Sequence, residues 1–430
     1  MGGLLANTVI LTIGELITKV LGLVIRIISV RVVGEEGIGI LMLVMPTFVL
    51  FMALASMGLP IAISRLVSTD KYDNKKLVLG IVPITLALNV IWISLLLLLA
   101  PFLSGTLLKN DLTFYPLMAI GFVLPFITIS SILRGYYFGK QQMMPHIISL
   151  IVEQIVRIVL LILIIPVLMQ VNLVVAIVAL IISTGISELA SIIVMIKMLP
   201  KKNAKKEYFK FDKKLTKLIF ATGAPATGSR LIGSFSYFLE PIILTLVLTK
   251  VGFSLSYIVT EYAIISAYTF PLLLIPSFFM LALSNAVVPV VSKAFQNKQY
   301  AYLKKKVKQT LIGSFIIGLI TTFILISFTK PLLELLFNTT QGVRYIQVLA
   351  PWFLLYYIQV PVTAILQSMG YAKQAMTSTL FGAIFKTLAI AIFAWLGFGI
   401  LALVIATVIN LLIVTIDNSR ILYNKLKVLY

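Results

Sequence analysis

The sequence of 430 residues contains no cysteine and a single histidine, His146. Without thiols the chain has no disulfide, no cysteine nucleophile and no thiolate site for zinc or an iron–sulfur cluster. One histidine at a predicted loop–helix junction is too little for a transition-metal site, and we interpret it as an interfacial polar residue. No glycine-rich loop ending in Lys-Ser or Lys-Thr is present either. The sequence therefore predicts no metal, no cofactor, no catalytic residue and no enzymatic activity.

Charged residues are also scarce, at 11% of the chain, whereas 60% of the residues are hydrophobic. Soluble domains carry about 25% charged residues. The apolar residues form runs long enough to cross the ~30 Å hydrocarbon layer as helices. They show no strict alternation, which excludes the ~10-residue strands of a membrane barrel. We predict an all-α polytopic membrane protein with about twelve transmembrane helices. The predicted spans are 4–30, 38–64, 77–101, 114–133, 146–169, 172–196, 218–248, 262–292, 309–329, 345–369, 376–396 and 399–422.

Acidic residues number only 14 against 35 basic residues, which gives a net charge of +21. Between the predicted spans, 25 basic residues, Arg134 among them, fall on one side of the membrane and five on the other. Basic residues in short loops remain cytoplasmic, so this asymmetry predicts that both termini are cytoplasmic. It also favours contact with anionic membrane lipids over binding of nucleic acid.

A lysine-rich segment divides the predicted spans into two sets of six. We expect an N-terminal six-helix lobe at 1–199, a basic cytoplasmic linker at 200–217 and a C-terminal six-helix lobe at 218–430. The segment ILRGYYFGKQQM at 132–143 matches ILQSMGYAKQAM at 365–376 in five of twelve positions. Because both halves begin and end on the same side, the repeat is parallel. Such repeats predict two pseudo-symmetric lobes around a central cavity that holds the substrate.

Ionisable side chains inside the spans are costly in hydrocarbon, so we expect them to face a cavity or one another. Those in the predicted spans are Glu15, Lys19, Arg26, Glu153, Arg157, Glu188, Arg230, Glu240 and Lys386.

The first span carries Glu15, Lys19 and Arg26 on one narrow stripe at 100° per residue. The seventh span has Arg230 at the position equivalent to Lys19. Because arginine matches phosphate oxygens and stays charged when dehydrated, we predict that Lys19, Arg26 and Arg230 bind an anionic head group in the cavity. The alternative is that Glu15 and Lys19 form a structural i, i+4 pair while Arg26 extends to the interface.

Glu153 and Arg157 are also four residues apart on one span, and Glu188 on the next span could share Arg157. We predict a structural ion network that joins the fifth and sixth spans. For Lys386 three roles stay open: binding substrate, pairing with Glu240, or contacting polar groups such as Asn410. Glu15 and Glu240 are candidates for coupling transport to H⁺ or Na⁺.

Several stretches identify a family resemblance: TKVLG at 18–22, GLPIAISR at 58–65, LRGY at 133–136 and EQIVR at 153–157. They resemble stage V sporulation protein B-like polysaccharide exporters of the multidrug/oligosaccharidyl-lipid/polysaccharide exporter superfamily, which includes the lipid II flippase. The resemblance implies a bacterial cytoplasmic membrane protein in which spans 1, 2, 7 and 8 line the cavity. It also implies alternating-access flipping of an undecaprenyl-pyrophosphate-linked oligosaccharide or peptidoglycan precursor without ATP.

Cavity arginines of the lipid II flippase suggest roles for Lys19, Arg26 and Arg65, and we add Arg65 to the substrate-binding candidates on that basis. We expect a monomer whose partners are the lipid-linked substrate, anionic lipids and a coupling ion. Two rival functions stay open. One is a cation-coupled multidrug exporter of the same superfamily, whose site should be net acidic. The other is a membrane scaffold for envelope synthesis that transports nothing.

Overall fold

The computed structural model describes residues 2–69, 73–199 and 213–428. Within these ranges the regular secondary structure is entirely helical, which confirms the predicted fold class. The α-helices are α1 (Gly2–Ser56), α2 (Leu59–Ser68), α3 (Asn74–Phe102), α4 (Phe114–Gly139), α5 (Met143–Leu163), α6 (Ile165–Met169), α7 (Leu173–Lys197), α8 (Lys213–Val251), α9 (Leu255–Ala263), α10 (Phe270–Leu274), α11 (Ser277–Gln296), α12 (Tyr300–Ser327), α13 (Thr329–Phe337), α14 (Val343–Ser368), α15 (Ala372–Trp395) and α16 (Leu401–Val428).

Twelve helical stretches in the described ranges are long and apolar enough to cross a membrane. The first of them, Ile13–Ser68, has 56 residues, which at 1.5 Å per residue is ~84 Å and about twice the thickness of a bilayer. Gly34 divides it, since its backbone angles of φ 73° and ψ −178° are not helical. A residue with a side chain would strain at such a positive φ. The predicted spans 4–30 and 38–64 lie on the two sides of this break.

The predicted span 262–292 corresponds to two successive stretches, Leu255–Leu274 and Ser277–Gln296. Ile275 and Pro276 between them keep right-handed helical backbone angles, so the two stretches follow each other with only a short interruption. Proline lacks the amide hydrogen that the preceding turn would bond, which explains the interruption. Dividing the first stretch at Gly34 and joining these two again leaves twelve spans.

The Cα positions group into two compact units, Met1–Phe238 and Leu239–Tyr430, and α8 passes from one to the other. The predicted lobe boundaries at 199 and 218 stay a prediction. Most of the predicted linker, residues 200–212, lies outside the described residues, whereas 213–217 already belong to α8.

In the first unit, α2 packs against α3, α4 and the start of α8 through a buried cluster that includes Leu59, Ile63 and Ile219. The close approach of α2 and α8 depends on Gly58, which has φ +65°. A Cβ at this position would lie 2.5 Å from Oγ1 of Thr227 and 2.6 Å from the carbonyl oxygen of Gly223. Only glycine fits both the backbone conformation and the space.

In the second unit, the buried core joins α11, α12, α14, α15 and α16. Its members include Val291, Val307, Leu366, Ala375 and Leu422. Apolar burial of this kind fixes the helices around the polar pairs described below.

The helix ends correct the register of the internal repeat. α4 and α14 are both 26 residues long, and the residue numbers of their first and last residues differ by the same 229 positions. Pro60 and Pro289 differ by the same shift. The similarity between 132–143 and 365–376 has a shift of 233, so it is four residues, about one helical turn, out of structural register. With the structural register, Arg157 and Lys386 occupy equivalent positions.

Candidate functional site

The predicted basic stripe lies on α1, where Lys19 and Arg26 are both partly buried. Nη2 of Arg26 lies 4.0 Å from the sulfur of Met42. Tyr237 of α8 is close enough to interact electrostatically with Arg26. The side chains of Arg26 and Tyr237 therefore influence each other within the first unit.

Both helices run in the same direction, as contacts at one end of the first unit show. A Cβ on Gly14 of α1 would lie 2.5 Å from Cγ2 of Ile147, in the first turns of α5. α5 begins just after Gly139, and a Cβ there would lie 2.6 Å from Cβ of Val67 in α2. Ile219, near the start of α8, belongs to the same α2 core. The N-terminal parts of α1 and α8 thus lie at the same end of the unit.

Lys19 and Arg230 each precede the contact of Arg26 with Tyr237 by seven residues. Seven residues make about two turns, or ~10.5 Å, so each returns to nearly the same helix face. Since α1 and α8 run in the same direction and Arg26 interacts with Tyr237, we expect Lys19 and Arg230 to lie at about one level. Arg230 is exposed and has no carboxylate partner in the described part of the chain. Three of the predicted cations thus lie on two helices that run in the same direction in the first unit.

Glu15 is partly buried and interacts electrostatically with Lys19 one turn away. The structural alternative requires this neighbour for Lys19. Arg26 lies two turns away on α1 and Arg230 lies on α8, so the interaction between Glu15 and Lys19 does not involve these two arginines. Arg65 is exposed in the last turn of α2. It lies at the end of the unit that α5 and α8 share, nearer the helix ends than Arg26.

In the second unit, Lys386 of α15 pairs with Glu240 of α8. The Nζ–Oε1 distance is 2.5 Å, and the side chains are 17% and 4% exposed. Of the three roles left open for Lys386, pairing with Glu240 is therefore the one that the structure shows. Glu240, which we predicted as an ion-coupling residue, is thus already paired with a lysine of the same unit.

A second buried ion cluster joins α4, α5 and α7 in the first unit. Nη2 of Arg134 donates to Glu153 at 2.8 Å and to Glu188 at 3.0 Å. Nη2 of Arg157 lies 3.7 Å from Glu153, and its Nε donates to Ser187 at 3.3 Å. The three residues predicted to form a network lie together, but Arg134 is its centre.

The placement of Arg134 in a cytoplasmic loop is wrong, because α4 continues to Gly139 and lies within a candidate span. The signal was available: Tyr136, Tyr137 and Phe138 extend the apolar run beyond it. The interpretation of His146 as an interfacial polar residue stays a prediction, but the residue lies inside the protein near the start of α5. His146 is 6% exposed, and its ring lies 4.6 Å from that of Phe138.

Within the described residues, no group of three or more histidine and acidic side chains could hold a metal ion. The charged groups inside the spans instead form two kinds of arrangement. The cations of α1 and α8 include an exposed arginine and can meet an anion. The other two clusters are buried and internally paired.

Two family models match the chain. The model described as "polysaccharide biosynthesis protein" matches residues 4–295, and the MatE model matches residues 241–392. Together they cover most of the twelve spans.

Among curated proteins, stage V sporulation protein B of Bacillus subtilis is 34% identical over 394 residues, covering 89% of this chain and 76% of that protein. Sporulation protein YkvU of the same organism is 23% identical and covers 89% of this chain and 86% of its own length. The Bacillus subtilis lipid II flippase MurJ is 32% identical over 167 residues, which are 35% of this chain and 30% of MurJ.

Among solved structures, an inward-facing multidrug resistance transporter of the MATE family and MOP superfamily aligns with a TM-score of 0.80 at 16% identity. The alignment covers 96% of this chain and 95% of that chain. A MOP superfamily transporter from Pyrococcus furiosus, described as having a binding pocket of reverse polarity, aligns with a TM-score of 0.67 at 17% identity, over 99% and 96% of the two chains. At these identities the likeness establishes the fold, which is that of MOP superfamily transporters.

Proposed function

Because the chain belongs to the polysaccharide biosynthesis protein family, we propose that it flips an undecaprenyl-pyrophosphate-linked oligosaccharide or peptidoglycan precursor across the bacterial cytoplasmic membrane. The movement uses alternating access and no ATP. The 34% identity to stage V sporulation protein B and the shorter similarity to a lipid II flippase support this class of substrate.

The observation that carries the proposal is that Lys19, Arg26 and Arg230 lie on two membrane helices that run in the same direction, with Tyr237 of the second helix interacting electrostatically with Arg26 of the first. Basic side chains at membrane depth are costly, and an arginine without a carboxylate partner among the described residues is costlier still. An anionic substrate that crosses at this place supplies the missing charge. Guanidinium groups bind the oxygens of a diphosphate with charge-assisted hydrogen bonds.

The lipid tail has no need of a polar route, so it remains in the bilayer while the head group passes the cations. The basic loops support a topology in which both termini, and the end of the first unit that contains Arg65, lie on the cytoplasmic side. The head group then enters from that side. It first meets Lys19 of α1 and Arg230 of α8. It then meets Arg26, which lies two turns deeper along α1.

The test is a flipping assay in proteoliposomes with a fluorescent, short-chain prenyl-diphosphate sugar. Arg26→Ala and Arg230→Ala should each lower the initial rate about 10- to 100-fold, since one charge-assisted hydrogen bond contributes about 1.5–3 kcal/mol. Lys250→Ala is the matched control, because Lys250 is an exposed basic residue in the last turn of the same α8. Unchanged rates in both arginine variants would refute the proposal.

The MatE match supports a second candidate, a cation-coupled multidrug exporter. Its site should be net acidic to receive organic cations, but Glu240 is neutralised by Lys386 at 2.5 Å. Ethidium efflux that depends on Glu15 or Glu240 would put this candidate first. A membrane scaffold without transport is the third candidate. It would be favoured if a variant that flips no lipid still complemented a deletion of the gene.

A further inference from the structure

The buried carboxylates of the described spans differ in how well they are neutralised. Glu240 has a lysine ammonium of its own at 2.5 Å. Glu153 and Glu188 are 6% and 7% exposed, and both accept from one nitrogen of Arg134. Glu153 also accepts from Nε2 of Gln154 at 3.3 Å and lies 3.7 Å from Arg157. A buried charge is tolerated when it is paired and its remaining lone pairs are hydrogen-bonded. Unlike Glu240, these two carboxylates share one donor atom of a single cation.

The two carboxylates are also close to each other. Oε2 of Glu153 and Oε2 of Glu188 receive bonds of 2.8 and 3.0 Å from the same Nη2 atom, so they are at most 5.8 Å apart. Arg157 adds only a 3.7 Å approach to Glu153, while its Nε donates to Ser187. Two like charges so close in an apolar interior favour a state in which one of them carries a proton.

The charged and titratable groups around this pair come from every helix that packs on it. α4 contributes Arg134 and Tyr137, α5 contributes His146 and Arg157, and α7 contributes Glu188 itself. α1, which packs on α5 at Gly14, carries Glu15 and Lys19 in its next turns. Arginine does not lose its proton in proteins, so the carboxyls are the groups of the cluster that can change charge without breaking its cationic frame.

Three buried polar atoms near the pair have no hydrogen-bond partner in the described part of the protein. They are Nε of Arg134, Nδ1 of His146 and Oγ of Ser191. His146 lies two turns before Glu153 on α5, towards the helix start, and Ser191 lies one turn after Glu188 on α7. Unsatisfied buried atoms commonly mark the positions of ordered water. They therefore place polar groups that could bind water within one to two helical turns of the carboxylates.

We propose that Glu153 and Glu188 form a proton-binding site that couples transport to a proton gradient. One proton from water adds to a carboxylate oxygen of the pair, and the new O–H donates to the other carboxylate, which stays bonded to Arg134. The cluster gains one positive charge, and release of the proton restores the ion network. This names the coupling ion, which the proposed function leaves open, and moves it from Glu15 and Glu240 to a different site.

The first test uses the unaltered protein in detergent and dicyclohexylcarbodiimide, which modifies protonated carboxyl groups in apolar surroundings. Mass spectrometry of the digested protein should find the adduct on Glu153 or Glu188, with a labelled fraction that falls as the pH rises. Glu334 is the internal control, because its side chain is 50% exposed and lies 3.9 Å from Lys330. Absence of label from both residues at every pH where the protein stays folded would overturn the proposal.

A substitution then tests whether Glu153 is labelled because it shares a proton with Glu188 or only because it is buried. In Glu188→Gln, the neighbouring charge is removed and Arg134 serves Glu153 alone, so labelling of Glu153 should fall several-fold. Equal or stronger labelling of Glu153 in that variant would contradict a shared site. Glu334→Gln should leave the labelling unchanged, and circular dichroism shows whether each variant remains helical.

Transport supplies the last measurement. A pH gradient should accelerate flipping by the unaltered protein, and Glu188→Gln should abolish that acceleration. A gradient response that persists in Glu188→Gln would refute the coupling role. A chain that labels at Glu153 or Glu188 but flips no prenyl-diphosphate lipid would refute the proposed function and leave the proton site standing, so the two failures are distinguishable.

Discussion

Replacing Lys386 with methionine should destabilise the unit Leu239–Tyr430 by about 3–5 kcal/mol, because it leaves Glu240 charged and buried without a partner. At 2.5 Å and an effective dielectric constant of about 20, the two charges attract each other by about 6–7 kcal/mol. Their desolvation offsets much of that attraction while both are present. Loss of one partner removes the attraction and keeps the desolvation of the other.

The double variant Glu240→Gln/Lys386→Met removes both charges and should recover most of the loss, to within about 1–2 kcal/mol of the unaltered protein. The free energy of unfolding is measured by titration with sodium dodecyl sulfate in mixed micelles. Trp395 lies on the same helix as Lys386, so its fluorescence reports on the relevant unit.

The exposed pair of Lys330 and Glu334 is the matched control. Its atoms are 3.9 Å apart and the side chains are 68% and 50% exposed. Lys330→Met should change the free energy of unfolding by no more than about 0.5 kcal/mol, the range for exposed i, i+4 pairs. If Lys386→Met were as mild as Lys330→Met, or the double variant were as unstable as Lys386→Met, the reasoning from burial and pairing would be wrong.

Two further predictions test the packing and the topology. Gly58→Ala should lose at least about 2 kcal/mol and much of the folded yield, because φ is +65° and the new Cβ would lie 2.5 Å from Oγ1 of Thr227. In the matched control Gly22→Ala, the new Cβ meets nothing within 4 Å, so this variant should be neutral or slightly stabilising in a thermal unfolding assay. Because the chain has no cysteine, Thr340→Cys should react with a membrane-impermeant maleimide in intact cells and Asn297→Cys only after permeabilisation. The reverse pattern would invert the proposed topology.

The positions of the spans follow from the sequence because a helix in hydrocarbon needs an uninterrupted apolar run, and that requirement is local. The end of α4 was missed at Arg134 because a charged residue usually marks a loop. In this protein Glu153 and Glu188 from two other helices neutralise it inside the unit.

The sequence by itself determined that the chain crosses the membrane about twelve times and which side chains carry charge at depth, because both are properties of single helices. Tertiary structure decided which of those charges meet. Lys386 pairs with Glu240, which is 146 residues away along the chain, and Arg134 pairs with Glu188, which is 54 residues away. Such partners depend on how helices rotate and pack, which no periodicity within one helix records. The same packing leaves Arg230 of α8 exposed, and the proposed anion site depends on that exposure.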